Sequence, residues 1–137
     1  MTTIDMQTMR YINLLDRASR VKTHHCFTYN NTIIFVVPKY FVAKAIGPNA
    51  IHVKSLNEKL GKKIRILKTP EGIQDAEKFI EELVSPVKFK SLEIKEGVFV
   101  LRAGDKSKAA LIGRNRKREE ELKKIVDALF GRDIKIV

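Results

Sequence analysis

The chain has 137 residues, of which 27 are lysine or arginine and 16 are aspartate or glutamate, so its formal charge is +11. This length allows one ordinary domain or two small ones. The charge favours an anionic partner, with nucleic acid ahead of a membrane surface, although generic surface lysines would explain it equally well. Cys26 is the single cysteine, which excludes a disulfide framework and is typical of a reducing compartment.

Membrane insertion is not indicated by the apolar pattern. The longest apolar run, Ile33 to Val37, is far too short to cross a bilayer. Residues 1–19 have an amphipathic pattern rather than the continuous apolar run of a signal peptide. We therefore expect a cytoplasmic protein that has no membrane partner.

The first elements are a helix and two strands. Thr2 and Asp5 form a capping-box pattern at the start of an amphipathic helix. Residues 24–30 and 32–37 are predicted as strands, because the first alternates loosely and the second is β-branched and aromatic. An Asn-Asn pair between them predicts a hairpin turn.

Two helices and a strand complete the first half. Residues 40–46 predict a short helix that leads into a turn at Gly47. A second amphipathic helix follows and ends at Gly61, the usual position of a C-terminal glycine. Residues 62–67 alternate basic and apolar side chains, which predicts a strand.

The same order, α-β-β-α-turn-α-β, is predicted again after residues 69–72, whose Pro and Gly mark the domain boundary. The predicted domains are residues 1–69 and 70–137. In the second, a phase slip at Ser91 predicts a β-bulge. Gly113 and Gly131 correspond to the two glycines of the first half but lie four residues further apart, about one helical turn. A tandem duplication explains this correspondence.

The two turns between paired helices are the centre of the prediction. Their sequences are AIGPNAIHV at residues 45–53 and LIGRNRKRE at residues 111–119. A glycine lets the backbone approach a ligand closely, and the next helix begins with its positive dipole end beside it. In the second turn, four cations lie where they are unfavourable unless an anion meets them, namely Arg114, Arg116, Lys117 and Arg118.

The charge is unevenly divided between the halves. Residues 1–69 contain twelve Lys or Arg against three Asp or Glu, whereas residues 70–137 contain fifteen against thirteen. The first half is therefore strongly basic and the second is nearly balanced.

The element order, with an Ile-Gly turn between two helices, resembles the prokaryotic type II KH domain. Two such domains in tandem resemble an archaeal NusA-like transcription factor over essentially the whole chain. The resemblance implies an α+β fold with a three-stranded sheet packed on helices in each unit. It also implies binding of single-stranded RNA, since the GXXG loop of KH domains clamps about four nucleotides. Modulation of transcription termination or antitermination is implied, with RNA polymerase as a further partner.

Carried over by position, the resemblance assigns RNA-binding residues. The two GXXG loops each depart from the pattern at the last position, where Ala50 and Arg116 replace glycine. Lysine and arginine side chains near the loops would attract the RNA phosphates. The candidate RNA-binding residues are Lys44, Gly47, Pro48, Asn49, Ala50, Lys54, Arg65, Gly113, Arg114, Asn115, Arg116, Lys117 and Arg118. The substitution Gly47→Asp is predicted to weaken RNA binding without unfolding the domain.

Other functions are less well supported by the residues. The competing hypothesis is a protein-interaction module of the transcription or ribosomal machinery, in which both degenerate loops contact protein. No nucleophile–base pair, P-loop or paired carboxylate is found, so neither enzymatic activity nor a small-molecule substrate is predicted. His24, His25 and Cys26 are adjacent and alternate on a strand, so a buried structural Cys26 is favoured over a metal site. No cofactor or metal is expected.

Overall fold

The computed structural model describes residues 5–137. Its internal contacts divide the chain into two compact units, with the boundary between Thr69 and Pro70. Over the residues described, each unit contains three α-helices and one three-stranded sheet. The elements of the first unit are α1 (Met6–Ser19), β1 (His25–Tyr29), β2 (Thr32–Val37), α2 (Val42–Ile46), α3 (Ile51–Leu60) and β3 (Lys63–Lys68). Short 3₁₀ turns at Lys39–Phe41 and Pro48–Ala50 precede α2 and α3.

Helix α1 begins directly after Asp5, which is its N-cap residue. The Asp5 carboxylate accepts a hydrogen bond of 2.7 Å from the Thr8 backbone N–H, and this bond lowers the pKa of the carboxyl group. The capping-box prediction, which put Asp5 three positions inside the helix, is therefore wrong. Thr2, its predicted partner, lies outside the described residues.

Strand β2 is the central strand of the first sheet. It pairs antiparallel with β1 and parallel with β3, and all six of its residues are buried. Ile33 and Phe35 pack with Leu15 of α1 and Leu56 of α3 in one core. Cys26 belongs to the same core, and burial raises the pKa of its thiol to about 12.

The second unit repeats this topology. Its elements are α4 (Ala76–Val84), β4 (Ser91–Lys95), β5 (Val98–Arg102), α5 (Asp105–Ile112), α6 (Lys117–Phe130) and β6 (Ile134–Ile136). Strand β5 is central, antiparallel to β4 and parallel to β6. Phe130 of α6 makes edge contacts with Phe79 of α4 and Phe99 of β5, at ring-centroid distances of 6.1 and 5.6 Å. These rings join the helices to the sheet.

The phase slip at Ser91 is not a bulge. Strand β4 begins at Ser91, and its register with β5 runs without an extra residue from the pair Ser91 and Arg102 to the pair Lys95 and Val98. Residues 87–89 alternate in sequence but precede the strand. The slip therefore marks the beginning of the strand, and the bulge prediction is wrong.

The observed architecture confirms the predicted α+β class, with two three-stranded sheets packed on helices, and it is consistent with a duplicated KH-like fold. The predicted difference of four residues lies in one helix, because α3 has 10 residues and α6 has 14. Both helices end at a glycine in the left-handed conformation, Gly61 and Gly131. Within residues 5–137, no helix is both long and apolar enough to span a membrane.

Candidate nucleic-acid interface

The two helix–turn–helix segments have nearly the same backbone conformation. Gly47 has φ 80° and ψ 163°, and Gly113 has φ 74° and ψ 174°, a region that is essentially restricted to glycine. In both turns the third and fourth residues are left-handed, with φ between 55° and 59° at Asn49, Ala50, Asn115 and Arg116. Asparagine tolerates this conformation well, whereas alanine and arginine adopt it at a cost. The duplicated sequence therefore folds into a duplicated turn.

Gly47 lies too close to the next helix for a side chain. A Cβ atom placed there would be 2.5 Å from Cδ2 of His52 and 2.8 Å from Cγ2 of Ile51. The positive φ adds backbone strain to this crowding. Gly47→Asp would therefore disturb the turn itself, and the expectation that it leaves folding intact is not supported by this geometry.

The entrance to helix α3 is basic and open. The first turn of α3 contains no acidic residue, so the positive end of its dipole meets no carboxylate from that turn. Lys44 on α2 and Lys54 on α3 are exposed, and neither ammonium group is in an ion pair among residues 5–137. An anion that approaches this turn would meet a glycine-led backbone, a helix N-terminus and these lysines.

The apolar residues around the first turn divide between core and surface. Ile64 is buried in the core and Val53 is packed against it. Ile51 is different, because 56% of its surface is exposed at the first position of α3. Ile51 is therefore available to a ligand that lies along the beginning of the helix.

The second turn has its own carboxylate. Nη2 and Nε of Arg116 lie 2.7 and 2.8 Å from Oε1 of Glu119, whose side chain is only 10% exposed. Glu119 and Glu120 both belong to the first turn of α6. The guanidinium of Arg118 donates to the Ala110 carbonyl at 3.1 Å. Arg116 and Arg118, both predicted to bind RNA, therefore already contact groups of their own unit.

Equivalent positions, counted from Gly47 and Gly113, show the contrast between the turns. Lys44 is matched by Ala110, and Lys54 by Glu120. Both lysines of the first site are therefore absent from the second, and one is replaced by an acidic residue. Arg114 and Lys117 remain exposed at the second turn and have no counterpart charge in the first.

The other predicted residues lie on the elements around these turns. Pro48 and Asn49 are exposed at the tip of the first turn, and Asn115 is exposed at the tip of the second. Arg65 is half-buried on β3, the strand against which α2 and α3 pack. The structure thus brings the first-unit candidates onto one helix–turn–helix and its neighbouring strand.

Glu119 is the residue of this site whose structural importance the sequence reasoning missed. Its burial, at 7% relative exposure, follows from packing that no local pattern reveals. The available signal was the spacing of three residues between Arg116, in the turn, and Glu119, in the helix that follows, since residues this far apart are neighbours where a helix begins.

The His24-His25-Cys26 segment has structural contacts. Cys26 is buried in the core, and the His25 ring stacks on Phe27 with centroids 6.0 Å apart. Burial, with a smaller contribution from His24, lowers the pKa of His25. Within the described part of the chain, no group of three or more His, Cys, Asp or Glu side chains is arranged to hold a metal ion.

The chain resembles known proteins in both sequence and structure, although no family model matches it. It is 26% identical over 131 residues to the "Probable transcription termination protein NusA" of Methanococcus vannielii, covering 92% of the chain and 74% of that protein. It is 27% identical over 119 residues to the protein of the same name from Methanocaldococcus jannaschii, covering 84% of the chain but only 63% of that protein.

This chain is similar to proteins named as probable NusA. Matches that cover 92% and 84% of the chain must extend into both units. Among solved structures, the crystal structure of APE1850 superposes with a TM-score of 0.65 at 27% identity, covering 98% of this chain and 100% of that one. The NusA-like similarity thus takes in both units.

Proposed function

We propose that the chain is a NusA-like transcription factor, built from two tandem type II KH domains at residues 1–69 and 70–137. It binds single-stranded nascent RNA and modulates termination or antitermination. The names of its relatives support the transcriptional role. The repeated α-β-β-α-α-β order, with a glycine-led turn between the last two helices of each unit, supports the KH assignment.

The observation that carries the proposal is the first helix–turn–helix. Its glycine-led turn and the carboxylate-free N-terminus of α3 are flanked by two exposed lysines, Lys44 three residues before Gly47 and Lys54 seven residues after it. Backbone N–H groups and a helix dipole favour phosphate, and lysine adds mobile point charges. The strongly basic composition of residues 1–69 extends this field beyond the turn itself.

We propose that the RNA backbone passes over the turn at Gly47 and that the bases lie along α3 beside Ile51. The exposed side chain of Ile51 offers an apolar contact to a base. Phosphate contacts of this kind carry no sequence information, so the specificity of this site is modest and its affinity is largely electrostatic.

The second turn contributes less in this proposal. A phosphate there has to compete with the Glu119 carboxylate for Arg116 and meets Glu120 in place of a lysine. Arg114 and Lys117 still provide weaker, exposed contacts. The two units are therefore unequal partners in RNA binding.

The salt dependence of binding tests the proposal. The full chain is titrated at several salt concentrations into a labelled single-stranded RNA of about 12 nucleotides, which is longer than the four or so that one KH loop clamps. If four phosphates are neutralised, log K falls against log salt with a slope of about −3. A slope near zero would contradict RNA binding and would favour the protein-interaction module.

A pair of lysines on the same helix gives a matched control. Lys54→Gln, near the turn, is expected to reduce the magnitude of the salt slope by about 0.7, because one fewer phosphate is neutralised. Lys59→Gln removes the same charge from the exposed C-terminal end of α3. Equal effects of the two substitutions would show that the charge acts only through the general field of the unit.

RNA polymerase is proposed as a second partner on the basis of the relatives' names alone. Retention of this chain on immobilised polymerase in the absence of RNA is the direct test. Retention that occurs with added RNA but not in its absence would show that RNA bridges the two.

A further inference from the structure

Two aromatic side chains are unusually exposed in the first unit. Tyr40 and Phe41 lie on the 3₁₀ turn Lys39–Phe41, where 89% and 46% of their surfaces are accessible. The other tyrosines, Tyr11 and Tyr29, are only 6% and 5% exposed. An aromatic ring left in solvent forgoes the burial that stabilises other rings of the protein. The exposure of Tyr40 therefore needs an explanation outside the core.

The position of these rings relates them to the first turn. Helix α2, which has five residues, connects the 3₁₀ turn to Gly47, so the two sites lie at opposite ends of about 7.5 Å of helix. Lys39 precedes the rings and Lys44 lies between them and the turn, and both lysines are exposed. A strand of RNA that contacts the turn is therefore within reach of the rings, and the lysines match its charge.

The second unit shows that the fold does not require the rings. Counted back from Gly113, the positions equivalent to Tyr40 and Phe41 are Lys106 and Ser107. Helix α5 nevertheless forms and packs against α6 in the same order of elements. Among residues 5–137, the exposed aromatic rings thus occur in the unit whose turn is open and basic, which suggests a function in ligand binding rather than in folding.

We infer that Tyr40, with Phe41 beside it, stacks on a base of the single-stranded RNA whose phosphates contact the turn at Gly47. This inference rests on the proposed function and adds a base-contacting site to it. Aromatic stacking suits a ligand of variable sequence because every base offers a π-face. The site is a second contact region, separated from the turn by α2, and it lengthens the footprint of the first unit on the RNA.

Affinities for two ligands separate stacking from charge. One ligand is a single-stranded RNA of about 12 nucleotides, and the other is a ribose-phosphate oligomer of equal length without bases. Tyr40→Leu is expected to weaken binding of the RNA about tenfold and to leave the oligomer unaffected, since stacking on one base contributes that much. Tyr40→Phe keeps the ring and is expected to retain affinity for both ligands.

A comparison with Lys44→Gln distinguishes the stacking inference from the proposed RNA-binding function. It is expected to weaken binding of both ligands and to reduce the salt slope, whereas Tyr40→Leu leaves the slope unchanged. If Tyr40→Leu binds RNA as the wild type does while the steep salt slope persists, the stacking inference fails and the proposed function stands. If the wild type shows no salt-dependent RNA binding, both are overturned.

Fluorescence gives an independent readout. The chain contains no tryptophan, so Tyr40→Trp introduces a single reporter at the proposed stacking position. Stacked bases are expected to quench this tryptophan on addition of RNA but not of the base-free oligomer. Equal responses to the two ligands would overturn the inference. Circular dichroism of each variant confirms that these surface substitutions leave the fold intact.

Discussion

At the scale of single residues, both turns depart from the KH pattern at their fourth position. Ala50 and Arg116 both adopt a left-handed conformation, with φ of 57° and 59°, where the KH pattern has glycine. A residue with a Cβ atom adopts this conformation at a cost of about 1–2 kcal/mol. The turns therefore keep their shape without the final glycine because the flanking helices hold it.

Relief of this strain is measurable at Ala50. Ala50→Gly is expected to raise the free energy of unfolding by up to about 1 kcal/mol, since the strain removed exceeds the extra entropy of glycine in the unfolded chain. Ala109→Gly, on the exposed surface of α5, is the matched control and is expected to lower it by about 0.5–1 kcal/mol. Chemical denaturation measures both. Equal destabilisation would contradict the left-handed assignment at Ala50.

Arg116 is expected to stabilise the second unit through its ion pair with the buried Glu119. Arg116→Ala leaves the carboxylate of Glu119 buried without its guanidinium partner, and is expected to lower the free energy of unfolding by about 1–2 kcal/mol. Arg114→Ala removes an exposed arginine from the same turn and is expected to change stability by less than about 0.5 kcal/mol. Similar losses for the two variants would show that the ion pair contributes no net stability.

At the scale of elements, the helix and strand order follows from sequence periodicity and from the glycines that end the helices. The strand β2 was predictable because a run of six β-branched or aromatic residues is typical of a buried strand. The start of β4 was not, because residues 87 and 89 alternate like a strand although the ladder begins at Ser91. That boundary is set by hydrogen bonding to β5, which cannot be read from the local sequence pattern.

The candidate site was predictable in part, for the same physical reason. Glycine at positions 47 and 113 indicates a turn because few other residues adopt its conformation. The burial of Glu119 and the exposure of Tyr40 depend on how neighbouring elements pack, so single-sequence patterns could not reveal them. The sequence already shows that the two turns differ in charge, and the structure adds the ion pair between Arg116 and Glu119 in the second turn.

The core of the first unit makes a prediction about Cys26 on strand β1. Because burial raises the pKa of its thiol to about 12, the reactive thiolate is scarce at neutral pH in the folded protein. Alkylation by iodoacetamide at pH 8 is expected to be much slower in the native chain than in the chain unfolded by urea. Labelling of the native protein at the unfolded rate would place Cys26 outside the core.

At the scale of the whole molecule, charge is distributed between two units of one architecture. The first unit has an excess of nine cationic side chains over acidic ones, and the second an excess of two. In the proposed function, long-range attraction directs an RNA strand toward the first unit and weakens as salt screens it. In this account, the first turn is open and basic, whereas in the second turn Arg116 is already paired with the carboxylate of Glu119.

The central claim is that the first turn, rather than the second, receives the RNA backbone. Asn49 and Asn115 occupy equivalent exposed positions with φ of 55° in both, and aspartate tolerates that conformation as asparagine does. The most direct measurement is therefore the RNA affinity of Asn49→Asp and of Asn115→Asp at equal salt. A carboxylate beside a bound phosphate costs about 1–4 kcal/mol near a protein surface. We expect at least about tenfold weaker binding for Asn49→Asp and less than about threefold for Asn115→Asp. Equal affinities of the two variants, or a larger loss for Asn115→Asp, would contradict the account.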